Sequence, residues 1–418
     1  MTDEQAEKLA KILTDKIDEA NQVFLKKMGE HIKAIKSLTS TQAHQLIQTL
    51  KYGDSYDEIV KEISKITNMN IKSLDKIFAE FAKEDQRFAE QFYVYRNKPF
   101  IKFEENEPLQ KMVAGLAKMS KNTMKNFSRT SAIGYSIKDP QGKIIKMGLR
   151  DAYDYILDEA LLNVNQGKMT FDEEMRRVIK NFGNSGLKYL EYIDKNNNMR
   201  SIRLDSMVRQ HLRGALRDLH NQTWLQYGKE FDADGVEISV HANPAPDHAE
   251  VQGKRFSIVK PSEDEMSEFE KFQNDREAKT YDGEVFPPEH EGRDRRSIGE
   301  YNCYHYIFPV ILGVSAPVHS KEELEEIIKQ NNDGFEINGE HYTNYQGTQL
   351  MRKIETEIRK QKDTQIFARA SGDDELVDEA QQKITMLTKD YKKILEASGL
   401  SSELNRARVS GYRRVALK

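Results

Sequence analysis

Four side chains able to hold a soft metal ion or to run nucleophilic chemistry fall in one stretch of the chain: His241, His248, Cys303 and His305. Imidazole and thiolate ligands suit zinc. A cysteine beside a histidine also suits a nucleophile, because the thiolate is the reactive form and imidazole can take its proton. Cys303 and His305 are two apart, so on an extended strand they point to one face. The spacing argues for restraint, since small zinc modules carry paired C-x2-4-C or H-x3-5-H hooks and only Cys-x-His is compact here. For a nucleophile, no oxyanion donor or orienting acid stands out nearby. A third reading stays open beside these two: Cys303 fills a small apolar gap and the histidines hydrogen-bond loop carbonyls. His241, His248, Cys303 and His305 are therefore weak candidate metal ligands, and no cofactor is expected. Glu289-His290-Glu291 lies in a turn-rich "PPEHEGRDRR" and reads as a loop tip, not as a helix-borne H-E-x-x-H site. No P-loop, G-x-G-x-x-G or G-x-S-x-G occurs, so NTPase, dinucleotide and hydrolase readings have no support.

The segments around these residues read as strand and loop. "GVEISVHA" alternates, which predicts Val236, Ile238 and Val240 inward and Glu237, Ser239 and His241 outward. "KRFSIV" predicts another short strand, and "YHYIFPVILGV", punctuated by Pro309 and Gly313, a strand at a sheet edge. Residues 262–300 are acidic and turn-rich and predict a surface insertion. The Asn338-Gly339 pair in "GFEINGEHYTNYQ" marks a hairpin.

Elsewhere the apolar residues recur at helical spacing. Leu9, Ile12, Leu13, Ile17, Ala20, Val23 and Phe24 predict a long N-terminal helix broken near "SLTST". Helices follow over "SYDEIVKEISKIT", "KSLDKIFAEFAKEDQRFAEQFYVYR", "PLQKMVAGLAKMSKNTMKNFS", "RDAYDYILDEALLNVNQG" and "TFDEEMRRVIKNFG", with Ser, Asn, Pro or Thr at their starts and Gly closing the last two. "EYIDKNNNMRSIRLDS" predicts a small hairpin. In the next helix Arg209, Arg213 and Arg217 form one stripe while Val208, Leu212, Leu216 and Leu219 face elsewhere. Such a stripe either grips DNA or phosphate or pairs with the acidic unit that follows. Two more helices, split at "ARASGDD", end the chain.

The 418 residues exceed what one core usually serves, so two or three units are expected. With 38% apolar and 32% charged residues and a mean hydropathy of −0.75, much of the surface is solvated. The chain reads as α+β, predominantly α-helical: a helical region over 1–200, a small mixed core with short antiparallel strands over 201–345, and a helical C-terminal region over 346–418. The single cysteine excludes an internal disulfide and predicts a reducing compartment. No run is apolar enough to span a membrane, and the acidic, periodic N-terminus is unlike a signal peptide. Net charge runs +8 over residues 110–230 (21 Lys/Arg against 13 Asp/Glu) and −14 over 231–349 (11 against 25). A plain nucleic-acid binder would be more one-sidedly basic.

His241, then His248-Ala249, Gln252-Gly253-Lys254 with Phe256-Ser257, and after an acidic spacer Asn302-Cys303, His305, Pro309 and Gly313-Val314-Ser315, occur in an order that resembles the phage minor capsid protein 2 family, relatives of the head-morphogenesis proteins encoded beside the portal protein. The helical "QLMRKIETEIRKQK" and "YGKEFDADGVEISVH" resemble that family too. The likeness runs over roughly 200–410, while the first 200 residues match by helical character only. Asn243-Pro244-Ala245-Pro246-Asp247 stands before His248 where the family carries Gly-Ala-Arg-Pro-Ser. Val251 replaces its Trp and Tyr304 its Arg. Losing an Arg and a Trp is better tolerated by a scaffold than by an active site. The resemblance thus implies a structural motif, with His241, His248, Gln252, Gly253, Lys254, Asn302, Cys303 and His305 bracing two strands.

By the same resemblance the chain is expected to be a non-enzymatic assembly protein of a tailed-phage head, made in host cytoplasm and placed in the capsid interior near the portal. Its expected partners are the portal protein, other head proteins, packaged DNA and a second copy of itself. The competing expectation is a metal- or Cys/His-dependent enzyme or effector delivered with the DNA. A third, a host nucleic-acid binder, would use Arg209, Arg213 and Arg217 and bind in a strongly salt-dependent way.

Overall fold

The computed structural model describes residues 3–95, 97–139, 141–164, 168–193, 198–290, 293–294, 296–299, 303 and 305–416. Asn302, Tyr304 and Glu291 lie outside them. The architecture is predominantly helical α+β, 62% helix with small antiparallel sheets.

The first half runs α1 (Asp3–Lys36), α2 (Ser40–Tyr52), α3 (Ser55–Lys72), α4 (Leu74–Tyr95), α5 (Glu107–Phe127), β1 (Ile133–Lys138), β2 (Ile144–Gly148), α6 (Leu149–Val164), α7 (Lys168–Ser185), β3 (Lys188–Ile193), β4 (Met199–Arg203) and α8 (Leu204–Glu230). A second unit of strands and short helices follows: β5 (Gly235–Ile238), α9 (Pro246–Ala249), β6 (Arg255–Ser257), α10 (Glu268–Gln273), β7 (Ala278–Lys279), β8 (Val285–Phe286), β9 (Glu289–His290), β10 (Arg293–Asp294) and β11 (Ile307–Val310). The chain ends with α11 (Lys321–Asp333), β12 (Phe335–Ile337), β13 (Glu340–Tyr342), α12 (Asn344–Ser371) and α13 (Asp374–Ser398).

Helix boundaries follow local chemistry. The break near "SLTST" is real, because Thr39 forms a capping box with Gln42 that starts α2. Asn106 accepts from the Leu109 N–H to start α5, and Asp373 accepts from the Leu376 N–H to start α13. Between α12 and α13 the chain turns at Gly372, whose φ of 75° suits glycine.

The core is organised by α1 and α12. Along α1, Leu13, Ile17, Ala20, Phe24, Met28, Ile32 and Ile35 are buried, a stripe at the 3–4 residue repeat. They pack with Val208, Leu212, Leu216 and Leu219 of α8 and with Phe367 and Ala368 of α12. The backbones come very close: a Cβ on Gly29 would lie 2.5 Å from Ala370 Cβ, and one on Gly183 of α7 would lie 2.6 Å from Thr364 Cα.

At the centre of this packing sits a buried charge cluster. Arg203 donates to Asp363 (3.0 Å) and to Asp205 (3.1 Å), Arg359 also pairs with Asp205, and Gln22 donates to the other oxygen of Asp363 at 2.8 Å. Asp18 completes it, 3.9 Å from Arg203. Three carboxylates thus share two guanidiniums. Burial and the neighbouring Asp205 push the Asp18 carboxyl well above the usual range, although Arg203 pulls it down.

Three features differ from the sequence expectation. The helical first half contains a four-stranded antiparallel sheet in the order β2-β1-β3-β4. Only the β3–β4 hairpin was expected, and β1–β2 is held by Asp139, whose carboxylate accepts from the Gln141 and Lys143 N–H groups at 3.0 and 2.7 Å. Next, the acidic stretch 262–300 is more than surface: Phe269, Phe272, Phe286 and Ile298 are buried against Val236, Ile238 and Phe256. Glu263, Asp264 and Glu265 are exposed while its buried Phe side chains complete the second core. Finally, Glu237 lies on the face of β5 opposite Val236 and Ile238 yet is only 3% exposed, because Arg255 meets it at 2.8 Å from the neighbouring strand and the Val318 N–H donates to it at 3.1 Å.

Candidate functional site

The three-stranded sheet has the order β11-β5-β6, which places the two segments of interest side by side. The chain leaves β5 through Ser239 and His241, turns into α9 with Pro246 in its first turn, and returns past Gly253 into β6. Gly253 has φ 72°, and the Gly253 N–H bonds the Ile238 carbonyl at 2.8 Å, so the excursion closes on itself. The Cys303–His305 segment feeds the edge strand β11, which carries Pro309 as expected. Ser239 locks the junction: its N–H donates to the Tyr306 carbonyl and its Oγ accepts from the Tyr306 N–H, both at 2.9 Å.

His241, His248, Cys303, His305 and Gln252 converge there. The His305 ring lies 4.6 Å from that of His241 and 5.1 Å from that of His248, near edge-on in both cases. Cys303 Sγ is 3.7 Å from His305 Nδ1 and accepts the His305 N–H at 3.4 Å. His248 Nε2 donates to the Arg296 carbonyl at 2.8 Å. Gln252 Oε1 accepts from the His241 N–H at 3.1 Å and from His305 Nε2 at 3.4 Å. One ligand atom each of His248, Cys303 and His305 lies within 4.8 Å of the others.

Burial and mutual charge set the protonation of this group. Burial, with the charges of His241 and His248, drives the His305 imidazole down to about 2, so it is neutral. Burial alone would lower His248, yet the Cys303 sulfur and the Asp247 carboxylate lift it above the ordinary histidine value. Burial alone would raise the Cys303 thiol, but His248 and then Arg217 hold it below the usual range. The cluster borders a cavity of about 670 Å³ between the start of α1, the His241–Ala245 loop and α12, which Arg213, Arg296, Arg352 and Glu355 also line.

Other residues singled out in the sequence are placed differently. Gly253 makes the turn just described, and Lys254 pairs outward with Glu284 at 2.5 Å. Arg209 and Arg213 are turned onto Glu7 of α1, at 3.4 and 3.1 Å. Arg217 is 5% exposed and donates to the Cys303 carbonyl at 2.7 Å. The arginine stripe is thus an internal clamp between α1, α8 and the cysteine segment.

Two contributors escaped the sequence reading. Arg296 grips Asp247 with two 2.6 Å bonds, holding the acidic stretch against α9, and its carbonyl fixes His248. Asp247 beside His248 carries a local signal, since His with a neighbouring carboxylate is a recurrent pair. Arg296, one arginine of "RDRR", carries none.

Among curated proteins and among solved structures, comparison found no match. The family model described as phage minor capsid protein 2 matches residues 1–396, so the likeness extends through the N-terminal helices and not only the motif region, and the chain belongs to the phage minor capsid protein 2 family.

Proposed function

We propose that this minor capsid protein works inside the head beside the portal, as an assembly part that serves head morphogenesis and DNA packaging or ejection, and that it turns nothing over. The observation behind this reading is where the reactive-looking side chains spend their bonds. His248 holds the Arg296 carbonyl, His305 and the His241 backbone hold Gln252, and Arg217 holds the Cys303 carbonyl. Each ties one segment to another. A long helical body with solvated outer faces suits multivalent contact with other head proteins, and its opposed basic and acidic stretches suit different partners. Residence in the host cytoplasm during assembly, contact with packaged DNA inside the head and self-association are part of the proposal.

The test is quantitative mass spectrometry of purified virions before and after DNA ejection, with cross-linking to the portal. A few copies per head, cross-linked to the portal, are expected. Absence from full heads would overturn the placement.

One observation favours a second reading, an effector delivered with the DNA: the cluster borders a cavity large enough for a ligand. Phage carrying Cys303→Ala separates the two. Particles that assemble and fill but infect poorly favour the effector; failed head assembly favours the scaffold.

A further inference from the structure

We propose that His248, Cys303 and His305 form a zinc site in which two imidazoles and one thiolate hold the ion and a water from the adjoining cavity completes a tetrahedron. The inference stands apart from the capsid role and needs nothing from it.

The ring tautomers point to it first. His248 Nε2 lies 2.8 Å from a backbone carbonyl and His305 Nε2 lies 3.4 Å from the Gln252 amide oxygen. Both partners only accept, so in the neutral form of each ring, the form that binds a metal, Nε2 carries the proton and Nδ1 the lone pair. Zinc-binding histidines are fixed in this manner, the far nitrogen donating to a carbonyl or carboxylate while the near one meets the metal. The Gln252 orientation is itself fixed by the His241 backbone N–H, an obligate donor that reaches Oε1 at 3.1 Å.

Distances agree. With Zn–S near 2.3 Å and Zn–N near 2.0–2.1 Å, tetrahedral geometry separates sulfur and nitrogen ligands by about 3.6 Å. Cys303 Sγ and His305 Nδ1 are 3.7 Å apart, and all three ligand atoms lie within 4.8 Å of one another. The His305 N–H also donates to Cys303 Sγ at 3.4 Å, which stabilises a thiolate. A fourth ligand has room because the same three residues line the cavity. On binding, the thiol proton leaves to solvent and sulfur bonds the ion, with no change of oxidation state. The ion would staple α9 to the segment entering β11, two pieces of chain held otherwise by hydrogen bonds.

Because Cys303 is the only cysteine, the wild-type full chain reports on this site directly. Stripped protein titrated with Co²⁺ should show a thiolate-to-cobalt charge-transfer band and the strong ligand-field bands of four-coordination, saturating at one ion per chain, and Zn²⁺ should bleach them. Cys303→Ser should abolish the charge-transfer band. Gln252→Ala should weaken Zn²⁺ binding 10- to 100-fold, whereas His44→Ala and His319→Ala should leave it unchanged. A wild-type spectrum with only weak six-coordinate bands and no charge transfer would overturn the site, and that result needs no variant to fold. Equal Zn²⁺ affinity in folded Cys303→Ser would overturn it as well.

Discussion

Arg203 and Asp363 lie 160 residues apart in the chain and meet at 3.0 Å with neither exposed to solvent beyond 8%. They join the start of α8 to the middle of α12, and Asp205, Arg359 and Asp18 share the same pocket of charge. Replacing Arg203 by Met leaves Asp363 without its main counter-ion. Unpairing a buried charge costs about 3–5 kcal/mol. Urea unfolding should show that loss; a change under 1 kcal/mol would mean the cluster is solvated.

Asp18 gives a prediction with a definite sign. Burial and Asp205 raise its carboxyl well above the ordinary value, so the folded chain keeps a proton that the unfolded chain releases. Its favourable share is complete below the unfolded carboxylate value of about 3.9 and is lost as pH rises through the raised folded value. Asp18→Asn keeps the neutral form throughout. Melting temperatures at pH 4.5 and pH 7.5 should therefore shift in favour of the variant at the higher pH. A gap that stays constant or reverses would refute the assignment.

Gly183 lets α7 touch α12, since a Cβ there would stand 2.6 Å from Thr364 Cα. Gly183→Ala should destabilise by about 1–3 kcal/mol through overpacking. Gly115 in α5, where nothing lies within 4 Å of an added Cβ, is the matched control. Gly115→Ala should stabilise by up to about 1 kcal/mol. Chemical denaturation of the two variants side by side tests the contrast.

Arg209 and Arg213 are each less than about a quarter exposed and face Glu7. Changing both to Glu should lower stability by about 1 kcal/mol, the scale of partly exposed ion pairs, and leave DNA affinity at 50 and 200 mM salt unchanged. A collapse of salt-dependent DNA binding would instead put these side chains on phosphate.

Helices were legible because their apolar repeat and caps are local, as at Thr39, Asn106 and Asp373. The β11 edge was legible from Pro309, and the β12–β13 turn from Asn338 and Gly339, with φ of 52° and 80°. The β1–β2 hairpin left a signal, "GYSIKDPQGKIIKMG", that the surrounding helical rhythm hid. Glu237 escaped because alternation assigns faces but not what covers them: its face is closed by Arg255 from another strand and by the segment at Ser315 and Val318. The same limit applies to Asp18 and Asp363: on a helical wheel each is one more polar residue, and their shared partner Arg203 lies 185 and 160 residues away. The histidine and cysteine residues were recognisable as a group, but the bonds that fix their tautomers, from Arg296 and Gln252, exist only in three dimensions.

The Gln22–Asp363 bond spans 341 positions, and it sets a clock for biosynthesis. At about 5–20 residues per second, roughly 20–70 s pass between emergence of the first helix and arrival of its packing partner. Throughout that interval the part of α1 around Gly29 that packs on Phe367 and Ala370 of α12 waits for its partner. The α1–α12 contact is therefore one of the last parts of the core that synthesis can complete.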